Sequence, residues 1–313
     1  MATAKGVDLF KTLCVYNFGF WFEGREAKVV LNLEPPAVAL VSAEGEARIY
    51  APFGSDAAQL EERLLSVLGF RESVESFYEA AASDPLLSAF ASKWRGWRLR
   101  SCDLWWALVT AVCQQNASFR QGWGMLAKLI ALYGRMVELE NRGWVPLPPT
   151  PRDVLAESEK LRMAGLGYRS ATVLGIAGAI ESGLLPSSED LAFKPVEWVE
   201  TFLRKMKGVG SYTARLALAL ALREYELPPI DRWVKALAAK AYGIEEKAVE
   251  AEWRKRWGKW SALAVIALTV ALDAAPLSKA IARLESGRIL PEPGAGGPAE
   301  LWRLPLGWFA KPF

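Results

Sequence analysis

The 313-residue chain contains no histidine, and its three cysteines, Cys14, Cys102 and Cys113, stand far apart. Ser-His and Cys-His nucleophile systems and most zinc sites are therefore excluded. An odd number of widely spaced cysteines offers neither a disulfide framework nor an iron–sulfur ligand set. Acid–base chemistry near neutral pH falls to carboxylates, Lys, Tyr or a thiol. One stretch concentrates such groups, Leu203 to Tyr242, which reads LRKMKGVGSYTARLALALALREYELPPIDRWVKALAAKAY. Gly208-Val209-Gly210 can make a turn that other residues resist, because glycine reaches positive φ without steric cost. The helix that follows opens with unpaired backbone N–H groups, which suit a phosphate oxygen. Pro228-Pro229 stops that helix, and Asp231 stands where an N-cap would stand. Taken alone, a Gly-x-Gly between helices is more often a tight turn, and Asp231 reads as a cap or as a catalyst.

Other polar clusters are less specific. Gln114-Gln115-Asn116 follows Cys113 at the end of an apolar helix, where amides need partners. Trp94-Arg95-Gly96-Trp97-Arg98-Leu99-Arg100 and the segment from Trp253 to Trp260 mix basic and aromatic residues. Such mixtures grip a nucleic-acid backbone or place tryptophans in a core with solvated neighbours. Trp105, Trp106 and Trp198 lie in apolar runs at helical spacing and are expected in the core. Asp273 is expected to cap a helix or to line a pocket.

The elements that must position these groups follow from periodicity. Residues 1–53 read as extended, with β-rich runs at Val29–Leu33, Ala37–Val41 and Ala47–Ala51. Asp56–Leu68 switches to helical spacing, capped by Ser55 or Asp56. Beyond Glu72 no strand is expected. Helices are predicted at Val74–Ala82, Pro85–Lys93, Asp103–Cys113, Ser118–Leu132, Asp153–Met163, Arg169–Glu181, Pro195–Met206, Tyr212–Arg223, Asp231–Tyr242, Lys247–Trp257, Ser261–Leu272 and Leu277–Glu285. Pro148-Pro149-Thr150-Pro151 reads as a linker between helical lobes, and the Pro- and Gly-rich tail ending in Trp308, Phe309 and Phe313 as a segment packed back on the body.

Half the residues are hydrophobic, enough for a sizeable core. No apolar run is long enough to span a bilayer and no signal peptide is evident, so a cytoplasmic protein is expected. Many Pro with few Asn, Gln and Cys would suit a thermophile, although charge is not enriched. The net charge of +3 is uneven: residues 1–88 carry 7 Lys and Arg against 13 Asp and Glu, so the remainder is strongly positive and would meet a polyanion.

From Leu203 to Asp231 the sequence resembles the helix-hairpin-helix (HhH-GPD) DNA glycosylase superfamily. Its hallmark is L-x-x-(L/M)-x-G-(V/I)-G-x-x-T-A, then a Pro/Val-rich turn and an essential Asp about twenty residues on. Gly210 and Asp231 are 21 positions apart. Asp84-Pro85-Leu86-Leu87 through Leu132 and Leu161–Arg169, which matches L-R-x-x-G-L-G-Y-R, are similar to the archaeal-type 8-oxoguanine/alkylpurine (AlkA-like) branch. The resemblance is strongest over residues 84–275. It implies a mostly α fold with an N-terminal α+β domain: an antiparallel sheet and helix domain at 1–83, a two-lobed helical glycosylase body at 84–287, and the aromatic tail at 288–313.

The resemblance also implies the chemistry. Base excision flips a base from the stack and breaks its bond to C1′ through an oxocarbenium-like transition state, which a fixed carboxylate stabilises. Asp231 matches the family's catalytic Asp, and its capping N–H groups are expected to keep it ionised and oriented. Tyr212 stands where strand-cleaving members place a Schiff-base Lys, so monofunctional hydrolysis is expected, with Tyr212 stacking on the flipped base. Lys207, Gly208, Val209, Gly210, Ser211 and Thr213 are expected on DNA phosphates, with Lys205 and Arg215 assisting and a cation possible on the hairpin carbonyls. No side-chain metal site and no cofactor are expected. Gln115 or Asn116 would fill the gap left by the base. The implied partner is double-stranded DNA with a damaged or mispaired base, bound by a monomer. The implied substrate is a damaged purine, alkylated foremost, then oxidised or deaminated. The rival readings are a thymine or uracil mismatch glycosylase, a bifunctional 8-oxoguanine glycosylase/lyase, and a non-catalytic damaged-DNA sensor.

Overall fold

The computed structural model describes residues 6–16 and 20–303, with only the backbone at Phe20. The N-terminal region opens with a short helix, α1 (Leu9–Cys14), where an extended segment was expected. Asp8 caps it by accepting from Lys11 N–H at 3.0 Å. Six residues are too few for a helical period to register in the sequence. Four strands follow, β1 (Phe20–Phe22), β2 (Glu26–Leu33), β3 (Pro36–Ser42) and β4 (Ala47–Tyr50), in one antiparallel sheet of order β1-β2-β3-β4. Ala27, Val29 and Leu31 alternate inward from β2, whereas β3 is buried from Ala37 to Val41. Helix α2 (Ala57–Val67) buries Leu60, Leu64 and Val67, and Asp56 caps it through Ala58 and Gln59 N–H.

A helical body follows: α3 (Glu75–Ala82), α4 (Ser88–Lys93), α5 (Leu104–Cys113) and α6 (Phe119–Tyr133). Every residue of α5 is buried, and Asp103 caps it at Trp106 N–H. The chain then makes a two-stranded hairpin, β5 (Met136–Leu139) and β6 (Gly143–Pro146), where no strand was expected. Each strand has four residues and only one fully buried side chain, so no alternation marks them. Pro148 to Pro151 is not a free linker. Trp105 donates its indole N–H to Pro149 O at 2.7 Å, and Thr150 is buried as the cap of α7 (Pro151–Ala156). The single helix predicted over Asp153–Met163 is two, α7 and α8 (Glu159–Met163), broken at Glu157 and Ser158.

Helix α9 (Arg169–Glu181), a five-residue α10 (Ser188–Ala192) that the sequence did not announce, and α11 (Val196–Leu203) lead to the hairpin. Then come α12 (Ser211–Ala221), α13 (Arg232–Tyr242), α14 (Val249–Trp257), α15 (Ser261–Ala271) and α16 (Leu277–Glu285). Among the described residues no helix is long and apolar enough to cross a membrane. Residues 288–303 pack back on the body: Ile289, Ala299 and Leu301 are buried, and Trp302 lies edge-on to Phe10. Trp308, Phe309 and Phe313 lie outside the described residues.

Arg223, just after α12, joins the sheet region to the body. Its guanidinium donates to Ser66, Val67 and Leu99 carbonyls and to Glu72 at 2.7 Å. One hydrophobic cluster runs from Leu9 to Leu301.

Candidate active site

The hairpin between α11 and α12 is built by packing. Gly208 has φ +85°, and a Cβ there would lie 1.9 Å from Thr172 Oγ1 on α9, so backbone and neighbour both demand glycine. Gly210 differs: its backbone is extended, and no atom lies within 4 Å of where a Cβ would be. Its bareness keeps the start of α12 open rather than relieving a clash. Gly210 is the N-cap and makes no side-chain cap bond, so the first N–H groups of α12 face outward, ready for an anion.

Gln115 braces this turn from the end of α5. Its Nε2 donates to Gly208 O at 2.8 Å and to Thr213 Oγ1 at 2.6 Å. A cation on the hairpin carbonyls would share the Gly208 oxygen with this amide. Val209 and Thr213 are buried, so at those positions only backbone is open to a ligand, while Lys205 and Lys207 are exposed. Arg215 does not assist the hairpin. It pairs with Glu200 at 2.8 Å and Glu250 at 2.7 Å, which consumes its charge inside the body. Asn116 parts from Gln115: it is exposed in a left-handed conformation, φ 44°, and donates to Tyr168 OH at 3.3 Å. Arg169 lies over the Tyr168 ring at 4.6 Å.

Asp231 and Tyr212 open onto one cavity of about 530 Å³, a size typical of small-molecule pockets. Its walls come from α5, the α5–α6 turn, α12, the start of α13, and α15 with the turn after it. Asp231 caps α13, its Oδ1 accepting Val234 N–H at 2.9 Å. Asp231 is exposed to solvent at the cavity, yet partial desolvation by the cavity walls pushes its carboxyl above its ordinary 3.8, against the opposing pull of the Val234 and Trp233 N–H groups. Capping was expected to keep it readily ionised; here desolvation outweighs the caps. The Tyr212 phenol is raised by burial first and by the Asp231 charge second, so it stays protonated.

Three further wall residues escaped the sequence reading. Tyr16, with φ 47°, enters the cavity from the N-terminal region, edge-on to Phe119 at 5.7 Å. Burial raises its phenol strongly, and the neighbouring Tyr212 adds to this. Trp233 is fixed by donating its indole N–H to Ala275 O at 2.8 Å. Lys279 stands exposed at the rim, 3.8 Å from Glu292. Leu216 and Leu220, one and two turns after Tyr212 on α12, are wall residues that helical spacing could have found. Asp273 lines the wall too, held by a buried ion pair with Arg283 at 2.7 Å.

The mixed Trp and Arg segments are mainly structural. Trp97, Arg98 and Arg100 are buried, as are Trp253 and Trp257. Trp105 and Trp106 lie in the core as expected, but Trp198 is 46% exposed and stacks on Phe202 at 5.3 Å.

No family profile matches the chain. A DNA-3-methyladenine glycosylase of Bacillus subtilis is 30% identical over 157 residues, which are 50% of this chain and 52% of that protein. The chain spans about half the length of the curated relatives it matches. Among solved structures, the 3-methyladenine DNA-glycosylase of Archaeoglobus fulgidus superposes with a TM-score of 0.70 at 21% identity, over 84% of this chain and 94% of that one. The Clostridium acetobutylicum 8-oxoguanine glycosylase/lyase, in complex with double-stranded DNA, superposes with a TM-score of 0.67 at 16% identity, over 90% and 94%. The chain thus shares the fold of these DNA glycosylases, and its Gly-x-Gly hairpin set 21 positions before Asp231 is similar to the motif of the helix-hairpin-helix DNA glycosylase superfamily.

Proposed function

We propose that the chain is a monofunctional DNA N-glycosylase of base excision repair, of the 8-oxoguanine/alkylpurine-type branch. It takes a damaged purine out of double-stranded DNA, alkylated purines foremost and oxidised or deaminated ones next, and leaves an abasic site. The observation that carries this reading is the pairing of Asp231 with Tyr212 on one cavity beside an open helix N-terminus. The α12 N–H groups anchor a backbone phosphate without reading sequence. The anchored strand presents its flipped base to the cavity, where Tyr212 and Trp233 supply aromatic surface. The ionised Asp231 stands against positive charge growing at C1′ and orients the water that attacks there. A phenol has no nitrogen with which to form an imine, so the reaction stops at the abasic site.

Duplexes each carrying one modified purine test this. Released free base is measured for the wild type and for Asp231→Asn. The variant should lose roughly 10²–10³ of the excision rate while binding abasic-site DNA as tightly. Full activity in Asp231→Asn would remove that carboxylate from the mechanism. Lys279 at the cavity rim favours one second reading, a lyase that borrows this amine. Trapping of the protein on DNA by borohydride, abolished by Lys279→Ala, would establish it.

A further inference from the structure

Gln115 and Asn116 are neighbours in the chain, yet their side chains part. Asn116 takes a left-handed φ of 44°, a conformation that asparagine tolerates better than most residues. It is exposed and donates to Tyr168 OH. Gln115 is half-buried, and its side chain runs to the hairpin instead. One nitrogen, Nε2, makes both of its bonds there, to Gly208 O at 2.8 Å and to Thr213 Oγ1 at 2.6 Å. A carbonyl oxygen only accepts, so the group facing Gly208 is the NH₂, and its two hydrogens are both engaged.

The backbone behind this side chain is clamped as well. Arg169 donates to Gln115 O through Nε at 3.2 Å and also through Nη2. A Gln115 side chain swung out toward DNA would give up both hairpin bonds. What those bonds hold is the phosphate seat. Gly208 is the turn and Thr213 lies in the first turn of α12, so one amide spans the stretch whose open N–H groups face outward. Tyr212, which lines the cavity, stands between the two anchored residues.

We propose that Gln115 is a positioning residue: it fixes the α12 N–H seat, and with it Tyr212, against the end of α5, and it does not enter the gap left by a flipped base. This assignment rests on the glycosylase reading above for the meaning of the gap. The two roles part on single-stranded DNA, which has a phosphate to seat and no gap to fill.

A single strand and a duplex, each carrying one tetrahydrofuran abasic-site analogue, are titrated at low salt by fluorescence anisotropy. Gln115→Ala should weaken both by a similar factor, about tenfold, the size expected for two lost hydrogen bonds at a half-buried position. Gln115→Glu keeps the shape but sets an oxygen against the Gly208 carbonyl, and should bind neither DNA more tightly than Gln115→Ala does. Thr213→Val removes one of the two acceptors and should add little in the Gln115→Ala background, as residues of one network do. Thermal melts show which variants are folded, and Gln115→Glu with Thr213→Val carries the comparison where Gln115→Ala is not. On a duplex whose modified purine is excised, Gln115→Ala should raise the half-saturating enzyme concentration by more than it lowers the single-turnover rate, because Asp231 keeps its own bond to Val234 N–H. A loss confined to the duplex, with single-strand binding intact, would return Gln115 to the gap and overturn the assignment, as would wild-type binding of both DNAs by the Gln115 variants. Loss on both DNAs, with no base released from any lesion duplex by the wild type, overturns the glycosylase reading and leaves the brace standing.

Discussion

Asp231 is asked to do two things that conflict. As the cap of α13 it is stabilising, yet partial desolvation at the cavity raises its carboxyl above 3.8 although the residue remains exposed. The sign follows from linkage. The folded state holds the Asp231 proton more tightly than the unfolded state does, so stability falls as pH rises from 3.8 through the raised folded value. Asn caps a helix as well as Asp does and carries no charge. Asp231→Asn should therefore melt no lower than the wild type at neutral pH while losing excision, a trade seen where function needs a destabilised site. Thermal unfolding of the two proteins measures it, and a variant that melts clearly lower would show the charge to be stabilising. The same shift sets the acid limb of activity. Because the ionised carboxylate works, kcat/KM under single-lesion conditions should fall with decreasing pH at a midpoint above 3.8 and vanish as a limb in Asp231→Asn. The position of Asp231 at the head of α13 was legible in the sequence because its distance from Gly210 is part of a motif. Its protonation behaviour was not, since its partial desolvation depends on cavity walls that the fold brings together from α12, α13 and α15.

At the scale of elements, the hairpin separates two glycines that look alike in the sequence. Gly208 fits against Thr172 and adopts positive φ, whereas Gly210 is extended and has open space beside it. Gly208→Ala should cost stability, by about 1–3 kcal/mol from strain and overpacking, read as a lowered denaturant midpoint. Gly210→Ala should leave that midpoint unchanged and weaken DNA binding by crowding the phosphate seat, read by titration with abasic-site duplex. Equal stability losses at both positions would contradict this division. The long helices were legible because their apolar faces repeat: Arg169–Glu181 and Leu277–Glu285 were predicted to the residue. The β5–β6 hairpin, α1 and α10 were not, because each is too short to show a period and is held by what it packs on. Gln115 was read as reaching toward DNA; its bonds to Gly208 and Thr213 depend on a contact 93 residues away along the chain.

Across the whole molecule, the cavity is assembled from distant parts. Tyr16 enters from the N-terminal region and Ala295 from the segment after α16. That segment is pinned at Arg283, which is 1% exposed, pairs with Asp273 at 2.7 Å and donates to the carbonyls of Ala271 and Arg288. Asp273 in turn accepts Glu292 N–H at 2.9 Å. Arg283→Ala would leave the Asp273 carboxylate buried without its cation, and should destabilise the protein by about 3–5 kcal/mol. Chemical denaturation measures the loss, and a change below about 1 kcal/mol would show that the network is dispensable. None of this joining was visible in the sequence, where Tyr16, Asp273 and Arg283 carry no common spacing. The fold class was visible, because motif and helical periodicity agreed.

The account turns on the claim that a carboxylate and a protonated phenol, without an amine at position 212, carry the reaction to base release and no further. A duplex bearing a lesion that the protein excises tests it directly on a denaturing gel, with and without hot alkali. Strand breaks should appear only after alkali, and borohydride should trap no protein on the DNA. Breaks without alkali, or a trapped complex, would contradict the account.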